Sequence, residues 1–262
     1  MKVTKKGKGD PEIAVVYCTH GDETAGKKAV EDLLNSSPDF KKAVKFVFAN
    51  QKAYKEGKRF IDTDLNRSFP GEVESPSYEE RTAAKLVEEL KDLKVLDIHE
   101  TEVSPSPFAL FTWFDEKTVE TVRDTNLDRA VEISYTPGCG INIYGGVEVE
   151  VGPKGSEKAV EDALIILKQF LVNNGVLEGE VQRSEPEIYS VYSTQNRPTE
   201  NPELKVENFE TVEEGECIAE LEVGGALFSE ERFVPVLFGQ SYPDILGFKS
   251  VRLEKVEERI YQ

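Results

Sequence analysis

Two histidines occur in the 262-residue chain, His20 and His99, and each stands at the end of a run that reads as a β-strand. A lone histidine is most often a hydrogen-bonded surface or core residue, because imidazole serves many roles. The surroundings of these two alter that expectation. In His20-Gly-Asp-Glu23 a carboxylate follows three residues later, where the chain turns into a helix, so both side chains can face one point. His99 can supply a third ligand from a different strand. Two imidazoles, one carboxylate and an open fourth position make a catalytic zinc set. The HExxH helix of another metalloprotease class is absent.

Three further groups of residues invite a chemical reading. The segment Arg59-Phe-Ile-Asp-Thr-Asp-Leu-Asn-Arg67 reads either as a loop with solvated arginines or as a carboxylate grip. In the second reading Asn66 and Arg67 hold the carboxylate, since a guanidinium fork matches it bidentately, and Arg59 polarises a scissile carbonyl. Glu148 and Glu150 project to one side of a strand, so the two-residue period cannot decide which of them would act as a base. Asp97 shares a strand face with His99 and either orients the metal site or serves the structure.

These residues need a scaffold that places strand ends together. Ile13 to Cys18, Val44 to Ala49, Lys94 to His99, Phe108 to Trp113 and Gly146 to Val151 read as strands. Thr24 to Leu34, Tyr78 to Leu93 and Glu157 to Asn173 read as helices with one apolar face. Strands alternating with helices indicate an α/β fold, a mostly parallel or mixed sheet flanked by helices. In such sheets ligands gather at the carboxyl ends of the strands, which is where His20 and His99 fall. Past Gly175-Val-Leu-Glu-Gly179 the helical period disappears and short β-like runs follow. The expected organisation is a catalytic α/β domain over 1–180 and a smaller β domain over 181–262 that caps the cleft.

Composition narrows the partners. A formal net charge of −18 makes a nucleic-acid backbone or an anionic membrane an improbable general partner. No apolar run is long enough to span a bilayer, and the basic, polar Met1 to Asp10 does not resemble a signal sequence. Cys18, Cys139 and Cys217 are odd in number, widely spaced and outside any CxxC pair. A reducing cytoplasm fits them better than a disulfide framework or a thiolate zinc site.

Taken in order, His20-Gly-Asp-Glu23, Asp64-Leu-Asn-Arg67, Asp97-Ile-His99 and Glu150-Val-Gly-Pro153 resemble the succinylglutamate desuccinylase/aspartoacylase family, a branch of the zinc carboxypeptidase-like superfamily. Each motif is weak alone; four in order, using both histidines, are specific. The resemblance extends over the whole chain, since that family also carries a carboxyl-terminal β domain. It implies one zinc ion per chain held by His20, Glu23 and His99, with Glu150 as the general base. It also implies Arg59 as the carbonyl-polarising group, Asn66 and Arg67 as the carboxylate grip, and Tyr242 as a substrate contact. The expected reaction is hydrolysis of the amide bond in a small anionic N-acyl amino acid. A carboxypeptidase acting on peptide ends and an inactive metal-binding relative are the alternatives.

The chain also departs from that pattern. A second carboxylate-binding arginine is expected about ten residues before Glu150, yet Thr136-Pro-Gly-Cys-Gly-Ile-Asn142 has no Arg or Lys. One grip in place of two implies a substrate with a single well-placed carboxylate. Glu100-Thr-Glu102 after His99 is more acidic than that family usually shows, and the surroundings of Tyr242 match poorly.

Overall fold

The computed structural model describes residues 1–104, 106–134, 140, 145–198, 201–222 and 224–254. Its main sheet has ten strands, and the chain enters it with β1 (Lys2–Lys6), β2 (Ile13–Tyr17) and β3 (Val44–Phe48). Next come β4 (Lys94–Glu100), β5 (Phe108–Phe111), β6 (Arg129–Glu132), β7 (Val147–Val151) and β8 (Glu187–Asn196). The spatial order is β1-β3-β2-β4-β7-β5-β6-β8, completed by β13 (Ile245–Arg252) and β12 (Val234–Val236). Strands β3, β2, β4 and β7 run parallel, and β5 then pairs antiparallel with β7. A separate three-stranded sheet is built from β9 (Glu203–Leu204), β10 (Cys217–Glu220) and β11 (Ala226–Phe228). The α/β class and mixed sheet are those expected. Because β8 pairs in parallel with β6, the main sheet runs on across residue 180.

Helices α1 (Ala25–Asn35), α4 (Glu116–Asp124) and α5 (Glu157–Asn173) cover one face of the sheet. On that back face Ala29, Leu33, Ala163, Leu167 and Phe170 close over Ile13, Val15, Leu96, Ile98, Val147 and Val149. The front face carries α2 (Gln51–Glu56) and α3 (Tyr78–Leu90), whose Leu86 and Leu90 pack on Ala14, Val16, Val47 and Val95. Strand β2 is apolar at every position from Ile13 to Val16 because both its faces are covered.

A second front-face cluster, with Phe108, Leu110, Val131, Tyr189 and Phe248, lies over β5, β6, β8 and β13. Between these two apolar clusters run β4 and β7. Alternation sends Leu96, Ile98, Val147, Val149 and Val151 into the back core and turns Asp97, His99, Glu148 and Glu150 to the front. The gap in the front-face core is therefore lined by ionisable groups.

Candidate metal-dependent active site

The segment after β2 sets the first wall. Cys18 has φ of +52°, in the left-handed region, so the backbone turns sharply before Thr19 and His20. Gly21 follows against α2: a Cβ there would lie 2.3 Å from the carbonyl carbon of Ala53, so only glycine fits. The turn delivers His20 and Glu23, both buried, to one point. His20 Nδ1 is 2.8 Å from Glu23 Oε1, and its Nε2 is 3.1 Å from Asp64 Oδ1.

His99 comes from β4 and closes the set. Its Nδ1 lies 3.1 Å from Glu23 Oε2, so both imidazoles turn Nδ1 to the same carboxylate. The Nε2 atom of His99 is 3.2 Å from Asp97 Oδ2 but not aligned for a hydrogen bond, and among the described residues it has no hydrogen-bond partner. Asp97 accepts instead from the Thr19 hydroxyl at 2.9 Å. One donor atom from each of His20, Glu23 and His99 lies within 4.8 Å of the other two. Two imidazoles and a carboxylate converging in this way fit a divalent metal.

The electrostatics agree with that fit. Burial pushes the His99 imidazole pKa down, but Asp97 and Glu148 beside it more than compensate and hold it well above the usual value. His20 is likewise raised: burial acts against it, and Glu23 and Asp64 outweigh that. Both rings thus sit where positive charge is favoured, and a bound cation would take the place of their protons.

The loop carrying Arg59, Asn66 and Arg67 is fixed by a residue the sequence reading missed. Glu79, in the first turn of α3, is fully buried. Its Oε1 accepts from Asn50 Nδ2 at 3.1 Å and Ile61 N at 2.8 Å; its Oε2 accepts from Asp62 N at 3.0 Å and Thr63 N at 3.3 Å. An acid in a helical first turn is ordinary in sequence, so nothing there announced the role. Asp64 was visible in its motif but had no role assigned. Its side chain caps a 3₁₀ turn at Leu65–Arg67, takes His20 Nε2 and Arg59 Nε, and so ties the loop to the metal set. Although burial opposes it, these partners hold the Asp64 carboxyl well below the usual range.

Arg59 reaches the same centre, with Nη1 3.1 Å from Glu23 Oε1 and Nε 3.2 Å from Asp64 Oδ2. Asn66 is buried; its Nδ2 donates to Glu148 Oε1 at 2.9 Å and its Oδ1 accepts from Gly140 N at 2.9 Å. Arg67 is exposed and donates to the Asn66 carbonyl at 2.6 Å. Glu150 faces His99 across the β4–β7 pairing. Among the described residues its carboxylate makes no hydrogen bond, and burial, with Glu23 and Glu148 adding to it against His99, pushes its pKa up to about 7.

The cavity that holds these groups also has a carboxyl-terminal wall. Leu237, Gln240, Tyr242 and Phe248 line it together with His20, Glu23, Arg59, Asn66, Arg67, His99 and Glu150. Tyr242 stacks edge-on against Phe248 at 5.7 Å between centroids. Of the residues singled out in the sequence for chemistry, all but Asp97 thus border one cavity. The apolar members Leu110, Ile133, Leu237 and Phe248 were not foreseen, since they read as ordinary core positions. The stretch Thr136 to Asn142, where a second arginine is missing, lies outside the described residues apart from Gly140.

Residues 10–135 match the succinylglutamate desuccinylase/aspartoacylase catalytic domain. The chain is similar to the succinylglutamate desuccinylase of Pseudomonas paraeruginosa, 28% identical over 167 residues, which cover 55% of this chain and 50% of that protein. It is also similar to a probable aspartoacylase of Prochlorococcus marinus, 38% identical over 79 residues, 29% of this chain and 27% of that one. The aligned part therefore spans half or less of these relatives. The fold is that of murine aminoacylase 3, with a TM-score of 0.73, 21% identity, and coverage of 94% of this chain and 97% of the other.

Proposed function

We propose that this protein is a zinc-dependent hydrolase that cleaves the amide bond of a carboxylate-bearing N-acyl amino acid. The observation that carries the reading is the convergence of His20, Glu23 and His99 beside Glu150, a carboxylate without a hydrogen bond among the described residues. Bound by those three residues, a zinc ion would supply Lewis acidity, polarising the carbonyl and lowering the pKa of water to roughly 7.

The chain's own residues do the rest. Glu150 accepts a proton from the attacking water and returns it to the amide nitrogen as the C–N bond breaks, leaving a carboxylate and an amine. Arg59 stabilises negative charge developing on the carbonyl oxygen. Arg67 takes the substrate carboxylate, and Asn66 adds the second N–H of its amide, the first being used on Glu148. Asp64 orients His20, and Asp97 is placed to do the same for His99. The segment 181–262 narrows the cavity through Leu237, Tyr242 and Phe248, which favours small acyl amino acids over peptides.

No helix among the described residues is long and apolar enough to cross a membrane, and Cys18 and Cys217 are free thiols. A reducing cytoplasm is the compartment this reading assigns. The test is hydrolysis by zinc-loaded protein of a panel of N-acetyl amino acids, N-succinyl amino acids and short peptides. Release of free amino acid from an N-acyl substrate, abolished by chelation and restored by zinc, is the expected result. Turnover of peptides alone, or of nothing, would overturn it.

A further inference from the structure

Gln240 is a polar residue of the carboxyl-terminal wall that the proposed chemistry does not use. Its side-chain oxygen is engaged: Oε1 accepts from Thr101 Oγ1 at 3.2 Å and from the Glu102 backbone N–H at 3.1 Å. A backbone N–H can only donate, so the atom facing it is the oxygen and the other end of the amide is the NH2 group. The main chain is held as well, since Gln240 O accepts from Arg197 Nη2 at 3.1 Å and from Tyr242 N at 2.7 Å. Among the described residues Nε2 donates no hydrogen bond, yet it is not a buried stranded atom. Gln240 thus brings a fixed, uncommitted donor to the border of the cavity.

The register of β4 and β7 places this donor relative to the reaction centre. Asp97 faces Glu148, the acceptor of Asn66, so the carboxylate grip lies level with Asp97. His99 faces Glu150 one side-chain step further on, level with the metal set. Thr101 is the next step; its N–H extends the pairing to Val151 O at 2.8 Å, and its hydroxyl holds Gln240. Each step of two residues spans about 6.5 Å, so the metal set lies between Asn66 and Gln240. A substrate with its carboxylate at Asn66 and Arg67 and its scissile carbonyl at the metal set therefore sends its acyl group toward Gln240. That end is not built for an anion. Among the described residues that line the cavity, the Lys and Arg are Arg59 and Arg67, both committed elsewhere, and Glu100 adjoins Thr101. A neutral N–H beside an acid fits an uncharged acceptor.

We infer that Gln240 is a specificity-determining residue and that the preferred acyl group carries an uncharged hydrogen-bond acceptor, such as a second carbonyl, for its Nε2. The inference deepens the deacylase reading and rests on it for where the acyl end lies, though not for recognition by Gln240.

Two measurements on the zinc-loaded protein test this. The first compares kcat/KM for three N-acyl amino acids with acyl groups of one shape: levulinoyl with a ketone, isocaproyl with a methyl branch and succinyl with a carboxylate. The amino acid is the one released fastest from the N-acetyl series, or leucine where none is released. The levulinoyl derivative should exceed the isocaproyl one by about fivefold, the kinetic size of one hydrogen bond, with the succinyl derivative lowest. Gln240→Glu keeps an oxygen for Thr101 and the Glu102 N–H and removes only the donor, whereas Gln240→Met removes both. Each variant should erase the levulinoyl preference. A purely structural Gln240 would lower all three rates together, so a preference retained in either variant overturns the inference. Equal or better turnover of the isocaproyl or succinyl derivative by the native protein does the same. The second measurement needs no catalysis: calorimetric binding of the levulinoyl and isocaproyl derivatives to Glu150→Gln. Tighter binding of the levulinoyl derivative, lost in Gln240→Glu/Glu150→Gln, supports Gln240 as its receptor even where no N-acyl amino acid is hydrolysed. That combination would sink the deacylase reading alone. Equal binding, or none, overturns the inference.

Discussion

The two walls of the cavity are built by different physics. The wall from β2, the Arg59–Arg67 loop and α3 is polar, and its order comes from buried hydrogen bonds: Glu79 holds the loop, Asp64 holds His20 and Arg59, and Glu23 joins both histidines. The carboxyl-terminal wall rests on contacts among Leu237, Tyr242 and Phe248, with Phe248 and Leu237 almost fully buried. Directional bonds fix a catalytic group to within a few tenths of an ångström, whereas apolar packing tolerates exchange of similar shapes. The polar wall should therefore control whether the reaction occurs, and the apolar wall which molecule undergoes it. Substitutions on the two walls test that division.

The largest effect is expected at the metal set. If the proposed site is right, His20→Ala or His99→Ala should remove tight zinc binding and all measurable turnover, since each takes away one of its three ligands. Elemental analysis of the purified variants measures this directly. A full equivalent of zinc in either variant would show that the metal lies elsewhere.

Next comes the proposed base. Glu150→Gln should keep zinc and fold but lose on the order of 10² to 10⁴ in rate, because an amide cannot take the proton. Glu148→Gln, which keeps an acceptor for Asn66, should cost less than Glu150→Gln. The reverse pattern would exchange the roles of the two glutamates, a choice that strand periodicity left open. Arg67→Ala, further from the reacting bond, should raise KM and lower kcat/KM. The cost is on the order of 2 kcal/mol if its pair with the substrate carboxylate is desolvated.

Glu79 lies beyond reach of any substrate, so its substitution separates positioning from chemistry. In Glu79→Gln one of the two carboxylate oxygens becomes an NH2 group that faces N–H donors it cannot accept from. Each stranded buried donor costs about 1–3 kcal/mol, so the melting temperature should fall and the Arg59–Arg67 loop should loosen. Zinc content should stay near one equivalent while kcat/KM drops. Unchanged kinetics in a destabilised variant would limit Glu79 to stability.

How much of this was legible follows from the kind of signal each residue gives. The strands β2, β4 and β7 and the helix α5 were readable because apolar runs and helical periods are dictated by two covered faces and one covered face. His20 and His99 stood out through scarcity. Short elements with mixed composition were not foreseen: β1 (Lys2–Lys6) is largely exposed lysine, and α4 (Glu116–Asp124) has only Val119 and Val122 as apolar core residues. Pairing decided where β8, β12 and β13 belong, and pairing is a long-range property that local pattern does not encode. Glu79 escaped notice because its partners are backbone amides 16 to 18 residues away, which no spacing reveals.

The smallest effect is expected on the apolar wall, at Tyr242. Its ring packs edge-on against Phe248 and borders the cavity, so ring and hydroxyl can be tested apart. Tyr242→Phe keeps the ring and should leave zinc content unchanged. If the hydroxyl bonds the substrate, KM should rise by a few fold, the kinetic size of about 0.5–1.5 kcal/mol for one neutral hydrogen bond. Tyr242→Ala removes the ring as well and exposes the Phe248 face, so melting temperature and KM should both change. Steady-state kinetics beside thermal unfolding of the two variants gives the answer. A native KM in Tyr242→Phe with a raised KM in Tyr242→Ala would reduce Tyr242 to packing and assign the selectivity of this wall to Leu237 and Phe248.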